Sequence, residues 1–510
     1  MKSIWYNTHL KTKYYSFMHK STLKSNTIIR LYQSDFNRGT YRIIKPGYYQ
    51  FSENIIFHPN PEHGFNPTEE QFNQQLYSRK HFRLGFFAAI TVESDDVVID
   101  LNGFKLSQSI EHYHIQRFYA HIELASTPFI PNTGPANFGE DIIVPNNVII
   151  KNGCLGLSSH HGCHGNNMSN ILFHNLTFKD YEVAAISLNA GTYIYVKDIT
   201  ITNSHQQVNA LAMMSHFIFD LPFLKNIAQI NPNATITMNH KTITIQEIIK
   251  DIQYELNTFR NDPKNYNGIF SNKSKLPDSN IYGIVFNSKG PVIGPFKNIR
   301  NEETQGNEYI YIENVKIYNI VSDSIEINNF GPTPTTTLSY GKGQLVGPVG
   351  DVIPFDTCLN NDGIFVGNLL THMQLIISKY GKTKKEKGTA NVSTLFISDL
   401  EKSIVPFSTL LEKHALYCIK GKDTMAHTMK GNIGIFISQG KKIYLNDIII
   451  DGVVNNGTSI NSESSESSGI VVSGTTDIII KKTNISNIIS NTGNEITIRE
   501  KNQNKNIILL

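Results

Sequence analysis

The chain has 510 residues, 40% apolar and 17% charged, with a formal net charge of +3. A charged share below the usual ~25% excludes bulk disorder, and a near-balanced charge argues against a nucleic-acid partner. Of the 46 basic residues 37 are Lys and only 9 are Arg, whereas base readers favour clustered Arg.

The 54 Asn and 68 Ile stand out. Isoleucine is β-branched and suits strands; asparagine tolerates the left-handed backbone of tight turns. Together they predict many short strands joined by Asn corners, although an AT-rich genome gives the same skew. Four cysteines without CxxC spacing are too few for a disulfide scaffold and predict a chain made in a reducing compartment. The first 30 residues are basic but lack the apolar run of a secretory signal. The expected location is therefore the cytoplasm. No 18-residue apolar stretch predicts a membrane span.

Residues 1–38 are expected to form an N-terminal extension, followed by a repeat. The pattern φ-x-φ-x-(Asn/Asp)-φ-x-φ, with φ apolar, fits Ile171–Phe178, Ile194–Ile201, Ile310–Ile317 and Ile443–Ile450. Looser copies begin at Ile99 and Val148, a degenerate one at Ile478 and a partial one at Leu395. Starts at 148, 171 and 194 are two equal steps of 23 residues. A second φ-x-φ lies eight residues upstream of several copies, as at Ile186/Leu188, Ile435/Ile437 and Ile470/Val472. Period-2 alternation buries one strand face. The Asn, Asp or Gly between two runs turns a corner and keeps the next apolar residue pointing inward. One such unit cannot bury its face alone, so units must stack.

This repeat, with the opening Gly39–Tyr49 and the rung Ile90–Phe104, resembles the pectate-lyase-like superfamily of right-handed single-stranded parallel β-helices. The resemblance implies an all-β solenoid over residues 39–490. Two insertions interrupt it, a partly helical one at 207–279 and a loop-rich one at 331–387. Residues 491–510 form a tail whose apolar end, Ile507–Leu510, is expected to plug the last rung. Within the first insertion Thr244–Phe259 has helical apolar spacing. Ser459–Ser468 reads as a flexible loop. Amino-acid usage, the missing secretion signal and the segment Gly85–Gly139 are similar to β-helix proteins of large DNA viruses of protists. That likeness implies viral structural proteins as partners and a virion location. Spikes of this fold often trimerise, so a homotrimer is among the implied states.

The scaffold hosts lyases, hydrolases, adhesins and spikes, so function must come from side chains. Sugar-active members resembling this fold work on the outer strand face. Lyases among them use Arg or Lys as base and acids that hold calcium. Here Lys151, His174 and Lys197 occupy one column of three rungs and are the candidate bases; a solvated ladder is the bland alternative. Asp362, in Asn360-Asn361-Asp362-Gly363, resembles in part the acid motif of polygalacturonases, without its middle Thr or the paired acids that follow. Asp323 with Glu326 is another acid pair. The run Ser158–Gly165 holds three His and Cys163. Alignment with Ile186 puts Cys163 inside and His164 outside, so the two cannot share one metal and no metal site is expected. His164 is a candidate groove residue for a glycan. Arg117, near His112, His114, His121 and Glu123, is a second ligand-binding candidate; a loop salt bridge to Glu123 is its bland reading.

Sparse Arg and the lack of a complete acid set favour a non-catalytic protein, structural or glycan-binding, with no cofactor. The alternative is a polysaccharide lyase or glycoside hydrolase, with calcium if a lyase.

Overall fold

The structure is a computed structural model. It describes residues 28–128 except 64, 79–80, 83–84 and 117–118. It also describes residues 142–203, 281–287, 306–322, 431–455, 466–490, 492–499 and 505–510, with short pieces between 228 and 258 and at 344–346 and 352–354.

The strands in chain order are β1 (Ile28–Leu31), β2 (Tyr41–Ile43), β3 (Gly47–Phe51), β4 (Ile55–Phe57), β5 (Ala88–Val92), β6 (Val97–Asp100), β7 (Lys105–Gln108) and β8 (Ala120–Glu123). Then follow β9 (Asn146–Leu155), β10 (His161–Asn166), β11 (Ser169–Lys179), β12 (Ala184–Asn189) and β13 (Thr192–Asn203). A hairpin, β14 (Thr235–Met238) and β15 (Lys241–Thr244), precedes β16 (Ile281–Asn287) and β17 (Asn307–Ser322). A second small pair is β18 (Gln344–Val346) and β19 (Val352–Pro354). The chain closes with β20 (Gly431–Ser438), β21 (Gly440–Asn455), β22 (Glu466–Ser473), β23 (Thr476–Ile489), β24 (Thr492–Arg499) and β25 (Lys505–Leu509).

Two large sheets result. The twelve-stranded sheet runs β1-β3-β6-β9-β11-β13-β17-β21-β23-β25, with β4 and β7 beside it. The nine-stranded sheet runs β2-β5-β8-β10-β12-β16-β20-β22-β24. The pairings within both are parallel. The chain visits one sheet and then the other, advancing one place in each per turn. That is the path of a parallel solenoid, and its predominantly β, parallel-sheet character agrees with the repeat.

Register follows the sequence period. Val148, Ile171, Ile194, Ile310, Ile443 and Ile478 are cross-strand neighbours, and so are Ile150, Phe173, Val196, Ile312, Leu445 and Ile480. All twelve are at most 3% exposed, so one continuous interior runs the length of the stack. The corner between the two apolar runs is left-handed at Asn152, Asn175, Asp198, Asn314 and Asp447, with φ between 51° and 60°. This is the conformation for which Asn and Asp are suited. In the same inward column as Leu176, the residue after the corner is Gly153, because a Cβ there would lie 2.3 Å from Leu101 Cβ.

Several boundaries differ from those expected. β1 lies within the segment read as an extension and pairs with β3; four-residue strands are too short to show a period. β24 and β25 lie in the expected tail, and β25 continues the twelve-stranded sheet beside β23. Ile507 packs against the interior while Leu509 and Leu510 are 55% and 68% exposed, so the end extends the sheet and only its first apolar residue covers the last rung. Ser467 and Ser468, expected in a loop, are buried in β22. Inside 244–259 the described residues Gln246, Glu247, Ile249, Lys250, Gln253, Tyr254, Asn257 and Thr258 are helical. Thr244 caps them: its hydroxyl accepts from Glu247 N–H, while the Glu247 carboxylate accepts from Thr244 N–H at 2.8 Å, a capping box. The insertion expected at 331–387, apart from its short β pair, falls outside the described residues.

Candidate functional site on the outer sheet faces

The column anticipated at Lys151, His174 and Lys197 exists. In register across the twelve-stranded sheet stand Asp100, Lys151, His174, Lys197, Glu313, Asn446 and Lys481. Alternation turns them outward because the residue before each points into the core. The ionic members from Asp100 to Glu313 each have a partner nearby, while Lys481 lies over the Tyr444 ring. Lys151 Nζ lies 3.7 Å from Asp100, which also accepts a short hydrogen bond from the Tyr48 hydroxyl. His174 Nε2 is 3.1 Å from the corner residue Asp198, and Lys197 Nζ is 3.4 Å from Glu313. Asn446 Nδ2 donates to the other Glu313 oxygen at 3.2 Å. An ammonium held against a carboxylate has no lone pair with which to take a substrate proton. As a row, these residues neutralise one another.

A second outward column on this sheet was not anticipated. Val98, Ile149, Leu172, Tyr195, Tyr311, Tyr444 and Ile479 form a buried apolar cluster of their own. Tyr311 and Tyr444 stack at 5.1 Å. Its signal was in the sequence: the x between the two inward φ positions is apolar at rung after rung. Attention to the inward positions hid it.

The nine-stranded sheet carries a different outward row: Arg42, Thr91, Glu123, His164 and Ser187. At its edge Arg42 holds Glu93 through two hydrogen bonds of 2.8 and 2.6 Å, and Thr91 donates to the same carboxylate at 2.7 Å. Further along, His164 Nδ1 meets both Glu123 oxygens at 2.9 and 2.8 Å. Its Nε2 faces Asn189 Nδ2 at 3.4 Å, and Asn189 donates to Asn166 at 2.8 Å. The His161 ring lies parallel to that of His164, 5.0 Å away. A carboxylate on Nδ1 and an amide N–H facing Nε2 assign the proton to Nδ1 and leave the lone pair on Nε2. Such an orienting carboxylate is what proton-transfer histidines use.

Cys163 is fully buried beside Ile186, as its alignment required, and its thiol is pushed well up by burial. His164 points away from the core yet its side chain is only 12% exposed, because it packs on Glu123 and His161. Glu123 therefore serves His164. The two lie 41 residues apart, too far for spacing to reveal. Of the other histidines singled out, His112 and His121 are fully buried. Desolvation lowers them to about 3 and about 4. His112 sits among Phe57, Phe65 and Tyr119, and His121 is tied to Gly156 O at 3.0 Å. They are neutral core members. Arg117, Asp323, Glu326 and Asp362 lie outside the described residues.

Among the described residues no group of three or more His, Cys, Asp and Glu could hold a metal ion, and no helix is long and apolar enough to cross a membrane. No protein family, curated protein or solved structure matches this chain.

Proposed function

We propose that this protein is a right-handed parallel β-helix, similar to the pectate-lyase-like superfamily, that serves as a non-catalytic structural or glycan-binding protein on a virus particle. The rule that parallel crossovers are right-handed supports that handedness. The observation that carries the functional reading is the self-neutralised column from Asp100 to Asn446 on the twelve-stranded sheet. Side chains so paired present polar surface at a fixed spacing, and the two lysines, each held by a carboxylate, are not free bases. Incubation with a panel of acidic and neutral polysaccharides, with and without calcium, tests it. Retention on one or more glycans with the polymers left intact is the expected result; shortened chains in the mass spectrum would overturn it.

One observation favours a second reading, a glycan-degrading enzyme. The Glu123–His164 pair has the geometry of an oriented base. Under that reading, fragments would appear and Glu123→Gln would abolish them.

A further inference from the structure

Three neighbouring strands of the nine-stranded sheet, β8, β10 and β12, place Glu123, His164 and Ser187 side by side in one outward row. Beyond Ser187 the row turns apolar at Val285, Phe436 and Val471. A carboxylate, an imidazole and a hydroxyl therefore follow one another on consecutive rungs, about 4.8 Å apart from strand to strand. The residues before His164 and Ser187, Cys163 and Ile186, are fully buried, so both side chains are anchored with the same outward sense.

The row has a direction. Glu123 holds His164 Nδ1 at 2.9 and 2.8 Å, and the Nε2 lone pair faces β12, the strand of Ser187. There it meets Asn189 Nδ2 at 3.4 Å, two residues beyond Ser187 on the same strand. That contact is long for a hydrogen bond, and the Asn189 amide makes its shorter one, 2.8 Å, to Asn166. Ser187 is 4% exposed. The buried serines Ser109, Ser126, Ser158, Ser159 and Ser467 each engage their hydroxyl in a hydrogen bond. Among the described residues none engages the Ser187 hydroxyl, so a turn about χ1 is open to it. A nearly buried hydroxyl without a partner costs stability; beside an oriented base it is also a nucleophile.

Resting on the second reading above, that His164 is an oriented base, we propose that Glu123, His164 and Ser187 form a nucleophilic triad that removes short acyl esters from a glycan. Ser187 Oγ attacks the acyl carbon while its proton passes to His164 Nε2. The bond from that carbon to the sugar oxygen breaks, and the oxygen leaves with the proton from Nε2. Water then attacks the acyl-serine by the same route, giving a free carboxylic acid and restoring the Ser187 hydroxyl. Glu123 holds the Nδ1 proton and stabilises the imidazolium that forms in each half. Asn189, half-buried beside the pair, is the side-chain amide placed to donate to the oxyanion. Because Ser187 and His164 are nearly covered, the row admits a small acyl group such as acetyl and not a long chain. Deacylation leaves chain length unchanged, so the intact polymers expected above are compatible with it.

The test uses the full chain with acetylated xylan and p-nitrophenyl acetate as substrates, and a fluorophosphonate as the covalent probe. Ser187→Ala and Glu123→Gln are the variants. The expected outcome is acetate release by the wild type, about 10³-fold or more slower in either variant. Phosphonylation is expected at Ser187, located by peptide mass spectrometry. Ser187→Ala removes a hydroxyl that holds nothing, so its melting temperature is expected to match the wild type, which separates loss of rate from loss of fold. Acetate release that survives Ser187→Ala, or a label on another residue, would overturn the triad. Shortened xylan chains made equally by wild type and Ser187→Ala, without acetate release, would overturn it and leave the second reading standing. No acetate and no shortened chains from the wild type would overturn both.

Discussion

The two sheets share one interior and one path yet treat their outward polar residues in opposite ways. On the twelve-stranded sheet charge is spread along a column, each member answered by a neighbour. On the nine-stranded sheet it is concentrated in a nearly buried pair, Glu123 with His164, and in the Arg42–Glu93 clasp at the edge. A solenoid fixes what faces inward, because every rung must bury its strand face against the next. It leaves the outward positions free, so the outer columns are where rungs differ and where function is written.

Among single substitutions, breaking the concentrated pair has the largest expected effect. Glu123→Ala leaves His164 without its partner and opens space beside buried Leu124 and His161. A cost of about 1–3 kcal/mol, the range for leaving a buried hydrogen-bonding group without its partner, is expected in denaturant unfolding. Glu123→Gln, which keeps the shape, should cost less.

Acid should act on the same end of the molecule. His112 and His121 are held neutral by burial, at about 3 and about 4, against an ordinary value of ~6.5. Below pH 6.5 the unfolded chain binds protons at these two sites that the folded chain does not. Stability therefore falls as pH falls, from about 6.5 down to about 4 or 3, and is unaffected by these groups above that window. Each unit of difference is worth about 1.4 kcal/mol, so a loss of several kcal/mol is expected by pH 4. Hydrogen exchange at pH 7 and pH 5 should show β4, β7 and β8 opening first. Equal protection at both values would contradict the burial argument.

The distributed column should be the most forgiving. Lys197→Ala is expected to cost under about 1 kcal/mol, as exposed ion pairs do. A double-mutant cycle with Glu313→Ala should give a coupling of similar size that shrinks in high salt. A coupling as large as the loss at Glu123 would erase the distinction between the two faces.

Much of the scaffold was legible in the residues themselves. The 23-residue step, the inward positions and the left-handed Asn corner are local, and local patterns survive into the fold. The column Lys151–His174–Lys197 and the inward Cys163 followed by alignment alone. The ends were less legible: β1 and β2 are too short to display a period, β24 carries none of the Asn corners that marked the others, and β25 has only Asn506. The Glu123–His164 pair was hidden because its members meet on adjacent strands across 41 residues of chain. The left-handed backbone at Tyr193 and Tyr309 was hidden for another reason: the sequence pattern carried no corner at these positions, where neighbouring rungs hold Asn147, Asn170 and Asp477.

The most direct test of the glycan-binding, non-catalytic account is a single experiment on the intact protein. Equilibrium binding to the polysaccharide panel would be followed by mass spectrometry of the recovered polymers. The account expects every polymer to be recovered with no change in chain length, with or without retention on the protein. Fragments, whether unsaturated or carrying added water, would contradict it and turn attention to Glu123 and His164.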